Sequence, residues 1–417
     1  MKSPPDNHGR LSVIDRIFSI METHQRPQDF TLLLHLKNAP GLDALRAGAN
    51  SARNLYPTTG SIIQKQRWIR CVEPNGSFST ISDLSNKETA KAITEFVDRP
   101  LDLRRKMPVQ QLAITNGKSV VRLVTRFHHA AADGASAALW LNHQSRVARE
   151  MKAPVSEAFP FENLTLRRHE SPVKQSRFAH RGASQALWSS HAKASRARRW
   201  RTIEIAGTDL REGCRKVAHF SYNDLLATCA LQLFTQWNRL HGNGRPSRVG
   251  LWLPVNIRPR SVAGFGNGTS RIRLYAHDNH TSLLEKCRQV RRQIFWSNRH
   301  GEWAVPEKFP LASWPAWAID PLVRAYCNRR GIDMGTGVFS HVEAVAGETA
   351  EVFEQLEKIE SIGLLHARHS LAINGVTRGA RTWMTFTYDP SLLSDDDIDR
   401  MVEIYQEQLD AARREFQ

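Results

Sequence analysis

Residues 118–142, KSVVRLVTRFHHAAADGASAALWLN, constrain this chain more than any other stretch. Val120 to Phe127 is a run of β-branched and apolar residues, the composition of a buried strand. His128-His129, three alanines and Asp133-Gly134 follow it. The next residues, rich in Ala and Leu with one Trp, favour helix, and Asp133 stands where its N-cap belongs. The unit is strand, tight turn and helix, with two histidines where the strand ends.

Successive side chains on a strand point to opposite faces, so His128 and His129 are expected to look in different directions. That disfavours a shared metal, although His and Asp are types that zinc or iron accepts, and no metal site is expected. It leaves one imidazole free as a general base, because its ordinary pKa lies near neutrality. Read from the residues alone, a His pair closing a strand serves packing or surface equally well, and Asp-Gly is a common turn or cap.

The pattern His-His-x-x-x-Asp-Gly after an apolar strand resembles the active-site motif of the chloramphenicol acetyltransferase-like superfamily. That group includes nonribosomal peptide condensation domains, wax ester synthases and plant BAHD acyltransferases. Other stretches carry the resemblance in the same order along the chain. Leu11 to Thr23 has helical spacing of apolar residues with Ser12 as a cap, and precedes the strand-like Phe30 to Leu36. Leu42 to Leu55 and Glu88 to Phe96 read as helices, and Ile62 to Val72 as a strand pair or edge. Arg99-Pro100-Leu101-Asp102-Leu103 leads into two strands turned at Asn116-Gly117, a strong hairpin signal. Ser221-Tyr222-Asn223-Asp224 opens a long apolar helix with a cap-like Ser. Val249 to Val255 is a buried strand running into Asn256-Ile257-Arg258-Pro259, and Gly264 to Thr269, GFGNGT, is a glycine-rich loop. That loop does not join strand to helix as a dinucleotide-binding loop does. Thr336 to Val345 stands where the family often has Ser-Asn; here the residues are Ser340-His341. The BAHD motif Asp-Phe-Gly-Trp-Gly has no counterpart.

The resemblance implies an α/β fold of two similar lobes with an active-site channel between them. The expected division is 1–164 for the first lobe, 165–201 for a basic crossover linker and 202–417 for the second lobe. It implies an acyltransferase that takes an acyl group from a thioester, either acyl-CoA or a phosphopantetheine-linked acyl carrier protein, to a small-molecule alcohol or amine. No permanently bound cofactor is implied. His129 would be the general base. His128, Asp133, Gly134 and Arg258 would be structural at the site, with Arg258 the ion-pair partner of Asp133. Asn267 and Ser340 are the substrate-binding candidates. The alternative is a non-catalytic relative that binds a carrier protein or a partner enzyme. A serine hydrolase is not supported, since no Gly-x-Ser-x-Gly elbow occurs.

Composition narrows the partners. The 417 residues hold 58 Lys and Arg against 41 Asp and Glu, a formal charge of +17. An excess of that size suggests an anionic partner, but no nucleic-acid-binding motif occurs, so nucleic acid is not expected. Residues 165–201 concentrate the basic charge and read first as a solvated connector, second as a docking face for an anionic cofactor or carrier. His280 to Trp296 reads as a basic helix. Trp296, Trp303, Trp314 and Trp317 with Phe309 read as packing or acyl-tunnel walls, with membrane-surface contact the lesser reading. No apolar run is long enough for a membrane span. The first residues lack a signal peptide's apolar core, and five cysteines suggest no disulfide framework. A reducing cytoplasm is the expected location.

Overall fold

The computed structural model describes residues 8–22, 27–37, 39–71, 77–82, 85–117, 119–149, 166–167, 184–189, 194–217, 220–242, 248–259, 264–276, 282–304, 317–319, 321–322, 325, 335–343, 356–366 and 369–417. The first part runs β1 (His8–Arg10), α1 (Val13–Met21), β2 (Asp29–Leu36), α2 (Leu42–Leu55), β3 (Ser61–Gln64), β4 (Arg67–Arg70), β5 (Phe78–Ser82), α3 (Asn86–Asp98), β6 (Val109–Thr115), β7 (Val120–His128) and α4 (Gly134–Ala148). The second runs β8 (Arg199–Ala206), α5 (Thr208–Val217), α6 (Tyr222–His241), β9 (Gly250–Asn256), β10 (Thr269–Tyr275), α7 (Leu283–His300), β11 (Gly337–Glu343), β12 (Leu356–Ile362), β13 (Leu371–Arg378), β14 (Arg381–Tyr388) and α8 (Asp395–Phe416).

The helix starts follow from local chemistry. Ser12, Ser85, Ser221 and Ser394 each cap a helix while the acidic residue three positions on returns a bond to the cap backbone. These reciprocal boxes satisfy amide donors that the first helical turn leaves open. At Asn116-Gly117 the glycine has φ +85° and the Asn116 carboxamide accepts from Ser119 N, which closes the β6–β7 hairpin. The expected basic helix from 280 begins at Leu283 and extends to His300.

Two large sheets build the body. The first has strand order β12-β2-β7-β6-β5, the second β10-β9-β11-β13-β14-β8, and β1-β4-β3 forms a small third sheet. One face of the first sheet packs on α2 and α4 through Leu34, Phe127, Ala49 and Trp140, and the opposite face on α3 through Leu33, Val124 and Phe96. The second sheet buries one face on α6 and α8, where Phe339, Ile373 and Met384 meet Leu231, Phe234 and Tyr405. Its other face turns to the first sheet.

The sheets meet edge to face. β12, from the later part of the chain, pairs antiparallel with β2 and becomes an edge of the first sheet. Its outward amides do not stay open. Ser361 N donates to Thr385 Oγ1 and Gly363 N to Thr387 Oγ1, each at 3.0 Å, both threonines lying on β14 of the second sheet. An unpaired edge is thus satisfied by hydroxyls of the other sheet.

Most of 165–201 lies outside the described residues; at its end Arg199 and Arg201 are exposed while Arg198 turns inward. Arg198 is 1% exposed and pairs with the buried Asp29 at 2.7 Å. Arg198 thus ends the expected connector with one charge paired in the core.

Candidate active site

The two histidines diverge as strand geometry requires. His128 is fully buried. Its Nδ1 accepts from Ala130 N at 3.0 Å, so the proton of the neutral ring sits on Nε2, which faces Glu22 Oε2 at 3.6 Å. Behind it, Asp29 pairs across the ladder with His128 and is held by the guanidiniums of Arg126 and Arg198. Burial would raise the Asp29 pKa, but these two cations hold its carboxyl well below the usual range. A buried carboxylate with two guanidiniums is a rigid backing for the strand end.

His129 is held at both backbone groups. Its N–H donates to Gln28 O at 2.9 Å, and its carbonyl accepts from Asn267 Nδ2 at 2.8 Å. The ring lies against two aromatics, Phe18 of α1 with centroids 5.0 Å apart and Phe30 of β2 at 4.7 Å. It keeps partial exposure, while its Nδ1 is enclosed without a hydrogen-bond partner among the described residues. Desolvation by this packing pushes its pKa down to about 4, against a smaller upward pull from Asp133. The ring is therefore neutral at pH 7, the form a base needs.

Asp133 caps α4, accepting from Ser136 N at 3.0 Å. Its carboxylate also receives Arg258 Nη1 at 2.7 Å and Nη2 at 2.8 Å, Gly268 N at 2.9 Å and Thr269 Oγ1 at 2.8 Å. Burial raises the pKa of this group, but the Arg258 fork and the other donors outweigh it and leave it lowered. Arg258 also donates to Gly264 O at 3.0 Å and Gly266 O at 2.6 Å. The ion pair thus joins the histidine turn of the first sheet to the end of β9 and the glycine-rich loop. Gly268 is needed there: a Cβ would lie 2.7 Å from the Arg258 guanidinium carbon.

The other expected residues divide. Asn267 reaches the site, where its Nδ2 donates to the His129 carbonyl and its Oδ1 accepts from Thr269 N at 3.2 Å. Ser340 lies half-buried on β11, two residues before Val342. A Cβ on Gly134 would meet Val342 Cγ2 at 3.7 Å, an ordinary contact, so crowding does not explain that glycine. His341, beside Ser340, faces the other way and meets Thr377 Oγ1 at 2.7 Å. Sequence reasoning missed Phe18, Phe30, Ser136, Gly268 and Thr269. Ser136 had a local signal, at the third position after a cap, and Gly268 and Thr269 lie in the glycine-rich loop; Phe18 and Phe30 had none.

Among the described residues, no cluster of three His, Cys, Asp or Glu could hold a metal, and no helix is long and apolar enough to cross a membrane. Trp303 is buried, Trp296 packs on His300 and Trp317 is 80% exposed. They have three separate environments; Trp314 and Phe309 lie outside the described residues.

No family model and no curated protein sequence matches the chain. Solved structures do. A wax ester synthase/diacylglycerol acyltransferase from Marinobacter aquaeolei VT8 is 15% identical, with 98% of this chain and 99% of that one covered, at TM-score 0.59. The starter condensation domain of rhizomide synthetase, crystallised as a mutant with C8-CoA and Leu-SNAC, is 12% identical over 97% of this chain and 94% of that one, at TM-score 0.67. The first condensation domain of the calcium-dependent antibiotic synthetase is 13% identical over 98% of this chain and 97% of that one, at TM-score 0.67. The chain therefore has the two-lobed chloramphenicol acetyltransferase-like fold shared by condensation domains and wax ester synthases.

Proposed function

We propose that the chain is an acyltransferase in which His129 is the general base, moving an acyl group from a thioester to an alcohol or amine. The observation that carries the proposal is the neutral, partly exposed His129 imidazole, held at both backbone groups and set beside the Asp133–Arg258 pair. In the proposed step the acceptor oxygen or nitrogen attacks the thioester carbonyl carbon while His129 takes its proton. The tetrahedral oxyanion then collapses, the C–S bond breaks, and the imidazolium returns the proton to the leaving thiolate. Holding both substrates beside one base supplies much of the acceleration by fixing their orientation.

His128 in this reading orients the turn and does not react, because both its ring nitrogens face protein. Asp133 and Arg258 hold the turn against the second sheet. Asn267 positions the His129 carbonyl, and Ser340 faces substrate. The donor is an acyl-CoA or a phosphopantetheine-linked acyl carrier; the C8-CoA bound to a condensation domain of the same fold supports the former.

His129→Ala is expected to fold normally, with an unchanged melting temperature within a few degrees, and to lose transfer by 100-fold or more. A panel of acyl-CoAs with alcohol and amine acceptors, followed by thiol release and product mass, checks this. Full activity of the variant removes His129 from the mechanism. Donor binding without any transfer by the native chain supports a binding protein instead.

A further inference from the structure

Helix α7 buries one side and exposes a patterned opposite side. Leu283, Cys287, Val290, Gln293 and Ser297 recur every three or four residues and pack against α6 and β10. Facing away from them, Arg288, Arg291, Arg292, Phe295 and Arg299 keep the same spacing, and all five are exposed. At about 100° per residue they fall within about 100° of the helix circumference, a single stripe roughly 16 Å long.

Phe295, in this stripe, is 62% exposed. A lone exposed phenyl is ordinary on a protein surface; one flanked by four guanidiniums on one helix face pairs an apolar group with concentrated positive charge. That charge is only partly answered. Arg288 and Arg292 share Glu285, the one acid of the helix, at 3.5 and 2.7 Å, and Arg291 meets the buried Asp224 at 3.5 Å. Four cations thus face two carboxylates, in a chain whose formal charge is +17.

These features select the partner. The excess charge asks for an anionic one. A soluble protein would need about 800 Å² on each side for a stable interface, far more than five side chains of one helix offer. An anionic lipid surface has no such requirement, since each arginine near it contributes separately and a single ring can sink among the headgroups. The helix also has a direction. Gln293 holds the backbone of Tyr275 at one end of β10. Beyond α7, Glu302 pairs with Arg273 at 3.5 Å, and Trp303 lies under Arg167, whose N–H donates to Ile257 O beside Arg258. The helix therefore runs toward the end of the second sheet that holds Asp133.

We infer that α7 docks the chain on an anionic lipid surface, its arginines meeting the headgroups and the Phe295 ring entering between them. The inference is independent of the His129 reading.

Flotation of the full chain with vesicles of phosphatidylcholine, alone or mixed with phosphatidylglycerol, tests it. The native chain is expected to bind the mixed vesicles at least about tenfold more tightly than the neutral ones, and to come off as salt is raised. The triple variant Arg288→Gln, Arg292→Gln, Arg299→Gln spares Arg291, so that Asp224 keeps its partner. It should bind about 100-fold more weakly, roughly fivefold for each arginine. Phe295→Ser should weaken binding about tenfold, and Phe295→Leu should restore most of the loss. Equal binding to both vesicles, no binding to either, or undiminished binding by the triple variant overturns the inference. Loss in the triple variant with none in Phe295→Ser also overturns it, and returns the face to a soluble anionic partner.

Discussion

His129 trades basicity for protonation state. Packed between Phe18 and Phe30, the ring has its pKa pushed down to about 4 by desolvation, so it is unprotonated throughout the neutral range. The same shift has a thermodynamic consequence. Between pH 6.5, the ordinary value, and 4, the unfolded chain binds a proton that the folded chain refuses. Stability therefore rises with pH across that window and is lost as pH falls through it. His341, on the opposite face of β11, is also pushed down to about 4 by burial and adds to the effect. A shift of this size is worth up to about 3 kcal/mol per ring, less for His129 with its partial exposure. Urea unfolding at pH 7 and pH 4.5 should show a drop in stability that His129→Gln reduces by about 1–3 kcal/mol. Identical drops in the two proteins would contradict the desolvated ring.

At the scale of elements, β12 does the joining, and it does so partly through one carboxylate. Glu360 accepts from Trp200 Nε1 at 2.9 Å and Thr202 Oγ1 at 3.0 Å on β8, meets His35 Nε2 of β2 at 2.7 Å and pairs with Lys358 at 3.1 Å. Burial opposes its charge, yet the His35 bond and the Lys358 charge prevail and hold its pKa down at about 2. The contribution is complete above the ordinary glutamate value of about 4.5 and disappears as pH falls toward 2. Glu360→Gln should cost about 2–4 kcal/mol at pH 7, and the difference from the native chain should shrink at pH 3. Denaturation midpoints at the two pH values decide it; a constant difference would leave the charge without a role. None of this was legible in residues 356–362. The helices that were read, α5 not among them, and the 120–134 unit have signals, caps and apolar spacing, that lie within a few residues. A strand that pairs with one more than three hundred positions earlier leaves no such local mark.

Across the whole molecule, the Asp133–Arg258 contact joins the two sheets; it was expected only through the resemblance, which implied an arginine partner for Asp133. Its energetic asymmetry needed the structure. Arg258 is 8% exposed and Asp133 1%, so either charge left alone is a buried charge. The two are not equally served by other groups. Without Arg258, the Asp133 carboxylate keeps Ser136 N, Gly268 N and Thr269 Oγ1 as donors. Without Asp133, Arg258 keeps only neutral acceptors such as Gly264 O and Gly266 O, and three donors around the empty position lose their acceptor. Asp133→Ala should therefore destabilise by about 3–5 kcal/mol and Arg258→Met by less. The double variant should cost at least about 1 kcal/mol less than the sum, since the second change removes the stranded charge. A four-protein urea cycle at pH 7 measures this directly. Additive costs, within about 0.5 kcal/mol, would mean that the pair does not couple the lobes and that their hold rests on other contacts, among them the β12 edge, Arg198–Asp29 and Asn267–His129.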